Sequence, residues 1–152
     1  MANTHTQIYI QAVFAIKNRE ARIAPSWEKE LHAYMGGILK QEGHSPIIIN
    51  GMDNHIHLFF GLNPNQSISK CMQLVKGNSS KWVNDKGYCN SKFQWQSGYG
   101  AFSYARSQME SVYSYVANQK QHHQKRTFQD EYRDFLTKFD IPFQEEYLLE
   151  DI

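Results

Sequence analysis

Two histidines one residue apart give the clearest chemical signal in this sequence. His55 and His57 open an apolar run, residues 55–60, whose composition predicts a strand. Because alternate side chains of a strand point to the same face, both imidazoles are expected on one side of a sheet, roughly 7 Å apart. Imidazole nitrogens bind several divalent first-row metals. The pair therefore indicates a metal site, provided that another part of the chain supplies a third ligand.

The segment after residue 106 is predicted to form one helix, from Ser107 to about Arg126. Ser107 and Glu110 have the spacing of a capping box, which marks the start of a helix. At about 100° per residue, an apolar stripe is expected to face the core, formed by Met109, Val112, Tyr113 and Val116. A second stripe, about 60° wide, is polar and contains Tyr115, Gln119, His122 and Arg126.

Tyr115 is the candidate nucleophile of the polar stripe. A tyrosine hydroxyl can attack a phosphodiester and form a covalent phosphotyrosine, but a phenol with a pKa of about 10 reacts poorly at neutral pH. A divalent metal held by His55, His57 and the amide oxygen of Gln119 would polarise and position the phosphate beside Tyr115. Mixed nitrogen and oxygen ligands with open positions favour Mg²⁺ or Mn²⁺ over a structural zinc site. We therefore expect a divalent metal as cofactor.

Length and composition predict one folded domain over residues 1–152. The chain has 41% hydrophobic and 14% aromatic residues, which is typical of a globular protein. It has no apolar stretch long enough for a transmembrane helix, and its first residues lack the features of a signal peptide. Cys71 and Cys89 lack the spacing of a zinc or redox pair. We expect a cytoplasmic protein.

Charge is distributed unevenly along the chain. Residues 65–126 contain nine lysines and arginines against two acidic residues, whereas residues 127–152 contain two against eight. The basic block also contains many aromatic residues, a combination that suits a phosphate backbone and unpaired bases, although solvated helix faces would explain some of the lysines equally well. The candidate DNA contacts are Lys76, Lys81, Trp82, Arg106, His122 and Arg126.

The order of predicted elements favours an α+β fold. Strands are expected at residues 8–16, 47–49, 55–62 and 99–105, and helices at residues 27–42 and after a cap at Ser67, with a loop over residues 84–97. This order is the ferredoxin-like βαββαβ pattern, an antiparallel sheet with helices on one face. The tyrosine-bearing helix follows the last strand. The histidine pair is expected on a central strand.

Several segments together resemble the one-tyrosine HUH transposases, the small single-strand transposases of bacterial insertion sequences and their domesticated, repeat-associated relatives. The similar segments are residues 53–58, 76–82, 95–103, 115–123 and 127–131. The resemblance covers nearly the whole chain. It implies that His55, His57 and Gln119 are the metal ligands and that Tyr115 is the nucleophile.

The resemblance also implies a reaction and partners. Members of this family cut single-stranded DNA beside a recognised hairpin, leave a 5′-phosphotyrosine and a free 3′-hydroxyl, and reseal the strand to a new end. They form homodimers, and in many of them the tyrosine helix of one subunit completes the histidine site of the other. Whether Tyr115 acts within its own subunit is left open by the sequence.

Two other functions remain compatible with the sequence. An antiparallel sheet with exposed aromatic residues could bind single-stranded nucleic acid without catalysis. Alternatively, His55 and His57, with His122 or His123, could hold a metal that activates water in a phosphodiesterase. The acidic segment 144–152 is expected either to contact the basic face or, as the simpler reading, to be solvated.

Overall fold

The computed structural model describes residues 3–144 and 148. Its strands are β1 (Tyr9–Ala15), β2 (Ser45–Gly51), β3 (His55–Gly61) and β4 (Gly100–Tyr104). Its helices are α1 (Pro25–Gln41), α2 (Ile68–Lys86), α3 (Met109–Ala117), α4 (Gln119–His122) and α5 (Phe128–Lys138), and a 3₁₀ turn (Arg106–Gln108) precedes α3. Of the acidic segment 144–152, only Gln144 and Leu148 are described, so the expectation for that segment lies outside the described residues.

The four strands form one antiparallel sheet in the order β2-β3-β1-β4. The predicted α+β class and the antiparallel sheet with helices are confirmed. β3 is a central strand, between β1 and β2, as expected for the strand that bears the histidines. Among the described residues no helix is long and apolar enough to cross a membrane.

Helices cover both faces of the sheet. Even-numbered residues of β1, such as Ala12 and Phe14, pack against α1 and α2 in the larger core. Odd-numbered residues, such as Val13 and Ala15, pack against α5 on the opposite face. Here α3 adds Val112 and Val116 against Phe59. The α1 and α2 helices therefore share one face, as predicted, and the tyrosine-bearing segment occupies the other.

Local signals explain the two long helices. Pro25 occupies the first turn of α1, and Leu31, Met35 and Leu39 recur every four residues on its buried face. Ser67 caps α2 by accepting a hydrogen bond from the Lys70 backbone, as predicted. The α2 helix ends at Lys86 and is followed by Gly87, whose φ of 69° suits glycine. Residues 84–86 are therefore helical, and the predicted loop over residues 84–97 begins too early.

The segment from Ser107 to Arg126 is not one helix, contrary to the prediction. Ser107 lies in the 3₁₀ turn, and the Gln108 side chain, rather than Glu110, accepts a hydrogen bond from the preceding backbone. The α3 helix ends at Ala117 because the side-chain amide of Asn50 donates to the carbonyls of Val116 and Ala117. Those carbonyls would otherwise bond the next helical turn. The short α4 helix follows this break.

Candidate metal and tyrosine site

The histidine pair lies on β3 beneath the helices α3 and α5. His55 and His57 are fully buried, and their ring centroids are 5.2 Å apart on one face of the sheet, as the alternation of strand residues predicts. They lie opposite Ala15 and Val13 of β1. The sheet therefore presents both imidazoles to a single point.

Hydrogen bonds fix the orientation of both rings. Nδ1 of His55 lies 2.7 Å from Oδ1 of Asn54, and Nδ1 of His57 lies 2.6 Å from Oε1 of Gln11. The Gln11 amide nitrogen donates to the hydroxyl of Tyr104, which directs the Gln11 oxygen towards His57. Because an amide oxygen only accepts, each Nδ1 donates its hydrogen to that oxygen, and each ring turns its Nε2 into the site.

Glu131 of α5 joins the two histidines. Its Oε1 atom lies 3.0 Å from Nε2 of His57 and 3.4 Å from Nε2 of His55. Nε2 of His123 is 3.0 Å from the same oxygen. Glu131 is not among the site residues predicted from the sequence. A signal was available, because a carboxylate that shares the apolar stripe of a helix with Phe128 and Phe135 is unusual.

The buried groups shift one another's ionisation. Burial lowers the pKa of His55 to about 4, against a hydrogen bond to the Glu131 carboxylate that raises it. Burial alone would raise the pKa of Glu131, but the nearby charge of His57 and hydrogen bonds from His123, His55 and His57 outweigh it. The pKa of Glu131 is held well below its ordinary value. The site therefore contains an ionised carboxylate among imidazoles.

His55, His57 and Glu131 could hold a divalent metal ion. One ligand atom from each lies within 4.8 Å of the other two. Adjacent ligands of an ion with bonds of about 2.1 Å lie roughly 3 Å apart, close to the separations found here. The amide oxygen of Gln119 lies 3.0 Å from Nε2 of His55, so the predicted third ligand reaches the same point. The donor set of two imidazoles, a carboxylate and an amide oxygen fits such an ion.

Tyr115 meets the metal-binding residues at Glu131. Its hydroxyl donates to Oε2 of Glu131, and the side-chain nitrogen of Gln119 donates to the same oxygen over 3.0 Å. The Tyr115 ring is stacked on His122, with centroids 4.6 Å apart, and the rings of Phe135 and His57 lie 5.7 and 6.0 Å from it. Burial, followed by the negative charge of Glu131, raises the pKa of Tyr115 well above its ordinary value. Tyr115 is thus a protonated, tightly positioned phenol.

The structure buries a different side of α3 from the one predicted. Tyr113, predicted to face the core, is 47% exposed. The buried side of the segment instead contains Val112, Val116 and Gln119, with Tyr115 half-buried beside them. The side that faces the core therefore includes part of the stripe that was predicted to be polar. Periodicity gives the grouping of residues on a helix, but packing against β2 and β3 decides which group is buried.

The six candidate DNA contacts lie in two separate regions. Lys76, Lys81 and Trp82 are on α2, on the opposite face of the sheet from the histidines. Arg106 lies in the turn before α3, His122 is stacked on Tyr115, and Arg126 lies in the loop before α5.

The three residues of α2 have contacts of their own. Nζ of Lys76 donates to the carbonyls of Gln96 and Gly98, over 2.9 and 2.7 Å. Trp82 is stacked on Tyr34, with ring centroids 5.0 Å apart, while Lys81 is exposed and paired with Asp85. Of the two lysines, Lys81 is the one whose charged group lies mainly in solvent.

The chain matches a known family of proteins over most of its length. Residues 4–119 match the model of the IS200-like transposase family, which is more than half of the chain. The chain belongs to that family and is a tyrosine transposase. None of the curated proteins matches the chain.

Two solved structures share the fold. One is described as a transposase from Deinococcus radiodurans R1, with a TM-score of 0.61 and 17% identity, covering 78% of this chain and 95% of the other. The second is a REP-associated tyrosine transposase bound to a REP hairpin, with a TM-score of 0.59 and 11% identity, covering 81% of this chain and 74% of the other. At these identities the similarity concerns the fold.

Proposed function

We propose that this transposase cuts and rejoins single-stranded DNA beside a hairpin through a 5′-phosphotyrosine on Tyr115. The observation that carries the proposal is that the Tyr115 hydroxyl and both imidazoles of His55 and His57 contact one carboxylate, that of Glu131. The candidate nucleophile and the candidate metal ligands therefore meet at the Glu131 carboxylate. Membership of a DNA transposase family supports a phosphodiester as the substrate.

The proposed metal is Mg²⁺ or Mn²⁺, held by His55, His57 and Gln119 together with Glu131. When bound, such an ion supplies positive charge that polarises the scissile phosphate and stabilises the charge that develops on it. Glu131 orients the Tyr115 phenol through their hydrogen bond. The rings of His122 and Phe135 restrict the direction from which the phenol can approach.

The covalent step balances without an external energy source. The Tyr115 oxygen forms a bond to phosphorus and releases its proton, while the bond from phosphorus to the DNA 3′ oxygen breaks and that oxygen takes up a proton. The ester retains the energy of the original bond. Attack by the 3′-hydroxyl of another strand end then reverses the step and restores the phenol.

The proposed nucleic-acid partner is a single-stranded DNA hairpin. The solved REP-associated neighbour is bound to a REP hairpin, and it shares the fold with this chain over most of its length. Arg106, His122 and Arg126 are proposed to contact DNA on the Tyr115 side, and Lys76, Lys81 and Trp82 on the side of α2. The homodimer expected from the family remains a prediction.

We further propose that one chain supplies a complete active site. Tyr115 contacts Glu131 beside the histidines of its own chain. Two contacts hold the segment in this position, because Asn50 bonds the end of α3 and Lys120 pairs with Glu28 over 2.6 Å. A homodimer of this protein would therefore contain two sites with the tyrosine acting in cis.

Denaturing electrophoresis tests the proposed reaction. The full chain is incubated with Mn²⁺ and labelled single strands containing hairpins from the source genome, and a protein–DNA band that survives denaturation is expected. Chelation or His57→Ala should abolish the band, whereas His5→Ala, at an exposed residue, should not. Cleavage without a covalent band would support the phosphodiesterase, and binding without cleavage would support the binding module.

A further inference from the structure

A cleft of about 410 Å³ opens beside Tyr115, towards β4 and the start of α3. It lies within the size range of small-molecule sites, roughly 300–1,000 Å³. Part of its wall is aromatic, formed by Tyr104, Tyr115 and Phe135. The cleft therefore adjoins the attacking hydroxyl and is large enough for a group the size of a nucleobase.

Polar groups in the cleft have hydrogen-bond donors to spare. Tyr104 accepts a hydrogen bond from Gln11, and no acceptor for its own O–H is found in the described part of the chain. Gln108 uses its side-chain oxygen for the backbone of Ala105, which leaves its amide N–H groups available. The hydroxyl of Ser111 also lines the cleft. An aromatic wall with nearby donors suits a flat ring that carries acceptor atoms.

The charged residues of the cleft indicate whether it would bind the phosphate or the base of a DNA strand. Its two cations, Arg126 and Lys138, are matched by two carboxylates, Glu131 and Asp134. Arg126 is already paired with Asp134. A cleft without excess positive charge gains little by binding a phosphate, whereas the uncharged base can stack on its wall.

We propose that this cleft receives one unpaired nucleobase of the DNA strand, next to the phosphate that Tyr115 attacks. The inference rests on the proposed function, since it assumes that single-stranded DNA is the substrate. Stacking of the base would place the adjoining phosphate beside Tyr115 and the histidines. Tyr104 would then be a specificity-determining residue that touches the substrate directly.

Filling the cleft tests this proposal. Ser111→Trp places a large ring in it, while Ser114→Trp adds the same ring at an exposed position of the same helix that does not line the cleft. Fluorescence anisotropy measures binding of labelled oligothymidine and of an abasic strand of equal length. Chelator is present throughout, so that no strand is cut and the result does not depend on adduct formation.

The expected result is selective for the base. Ser111→Trp should weaken binding of oligothymidine about fivefold or more and leave binding of the abasic strand within about twofold, since stacking of a base is lost but phosphate contacts remain. Ser114→Trp should leave both affinities unchanged. If Ser111→Trp does not fold, Tyr104→Phe should give a smaller loss with the same selectivity, with Tyr113→Phe as its control.

Three outcomes would overturn the proposal. The first is that Ser111→Trp and Ser114→Trp bind oligothymidine with equal affinity. The second is that Ser111→Trp loses the same affinity for oligothymidine and for the abasic strand, which would mean that the cleft binds the DNA backbone. The third is that the wild-type protein binds oligothymidine and the abasic strand with equal affinity. A missing covalent band with the hairpin substrate would instead contradict the proposed function and leave these affinities intact.

Discussion

Oε1 of Glu131 lies 3.0 Å from Nε2 of His57, although 74 residues separate the two along the chain. Both side chains are buried, and His55 and His123 contact the same carboxylate. Glu131 therefore connects the strand that bears the histidines with the segment that bears Tyr115. Three of the predictions below concern this connection.

Replacing Glu131 should weaken metal binding. Glu131→Gln keeps the shape of the side chain but removes its charge, so we expect Mn²⁺ affinity to fall by about 10- to 100-fold. Isothermal titration of the purified chain measures this. Asp134→Asn, an exposed residue of the same helix, is the control and should bind Mn²⁺ as the wild type does. Equal affinities for the two variants would remove Glu131 from the metal site.

The two neighbouring tyrosines should behave differently. Tyr115→Phe removes only the proposed attacking oxygen, so it should fold and bind hairpin DNA but form no covalent adduct. Tyr113 is 47% exposed, and Tyr113→Phe should form the adduct and change the free energy of unfolding by less than about 0.5 kcal/mol. Mapping of the trapped adduct should place the nucleotide on Tyr115. An adduct retained by Tyr115→Phe would assign the nucleophile elsewhere.

Mixing two inactive variants tests whether the tyrosine acts in cis. If each chain forms its own site, a mixture of His57→Ala and Tyr115→Phe contains no intact site and should yield no adduct. If sites were composite, mixed dimers would combine an intact histidine pair with an intact tyrosine. Covalent bands in the mixture, but in neither variant alone, would therefore contradict the cis arrangement. Refolding the two chains together ensures exchange of subunits.

Stability should depend on pH through His32 of α1. Burial lowers the pKa of His32 to about 4, with Glu28 raising it and Lys120 lowering it. The unfolded chain, with a histidine pKa of about 6.5, binds the proton more readily, so the free energy of unfolding increases as pH rises from about 4 to 6.5. This contribution is fully present above the unfolded pKa and is lost in acid.

Replacing His32 measures its contribution. His32→Gln cannot take up the proton, so the change in the free energy of unfolding between pH 4 and 6.5 should shrink by about 2–3 kcal/mol. Urea unfolding at several pH values gives this quantity. His55 contributes in the same direction in both proteins and does not affect the comparison. His5→Gln is the control, and an unchanged pH dependence in His32→Gln would contradict the prediction.

The two lysines of α2 should have separate effects. Lys76 is half-buried and donates to two carbonyls, so Lys76→Ala should lower the free energy of unfolding by about 1–3 kcal/mol. Lys81 is exposed, and Lys81→Ala should leave stability nearly unchanged. If DNA crosses α2, Lys81→Ala should reduce the slope of log affinity against log salt by about one. An unchanged slope would place the DNA away from α2.

The sequence by itself determined relationships within single elements. The alternation of a strand places His55 and His57 on one face whatever surrounds them. Apolar periodicity also predicted the order of strands and helices. These relationships depend on the geometry of one segment at a time, which local residue patterns specify.

Tertiary structure decided how the segments meet. Glu131 enters the site because α5 packs across β1 and β4, and no local spacing relates it to His57. Tyr113 is exposed because α3 turns a different side towards the sheet, and the helix stops at Ala117 because Asn50, 66 residues earlier, bonds its last carbonyls. A pattern along the chain specifies the faces of an element, but the partner of each face is chosen by packing between distant segments.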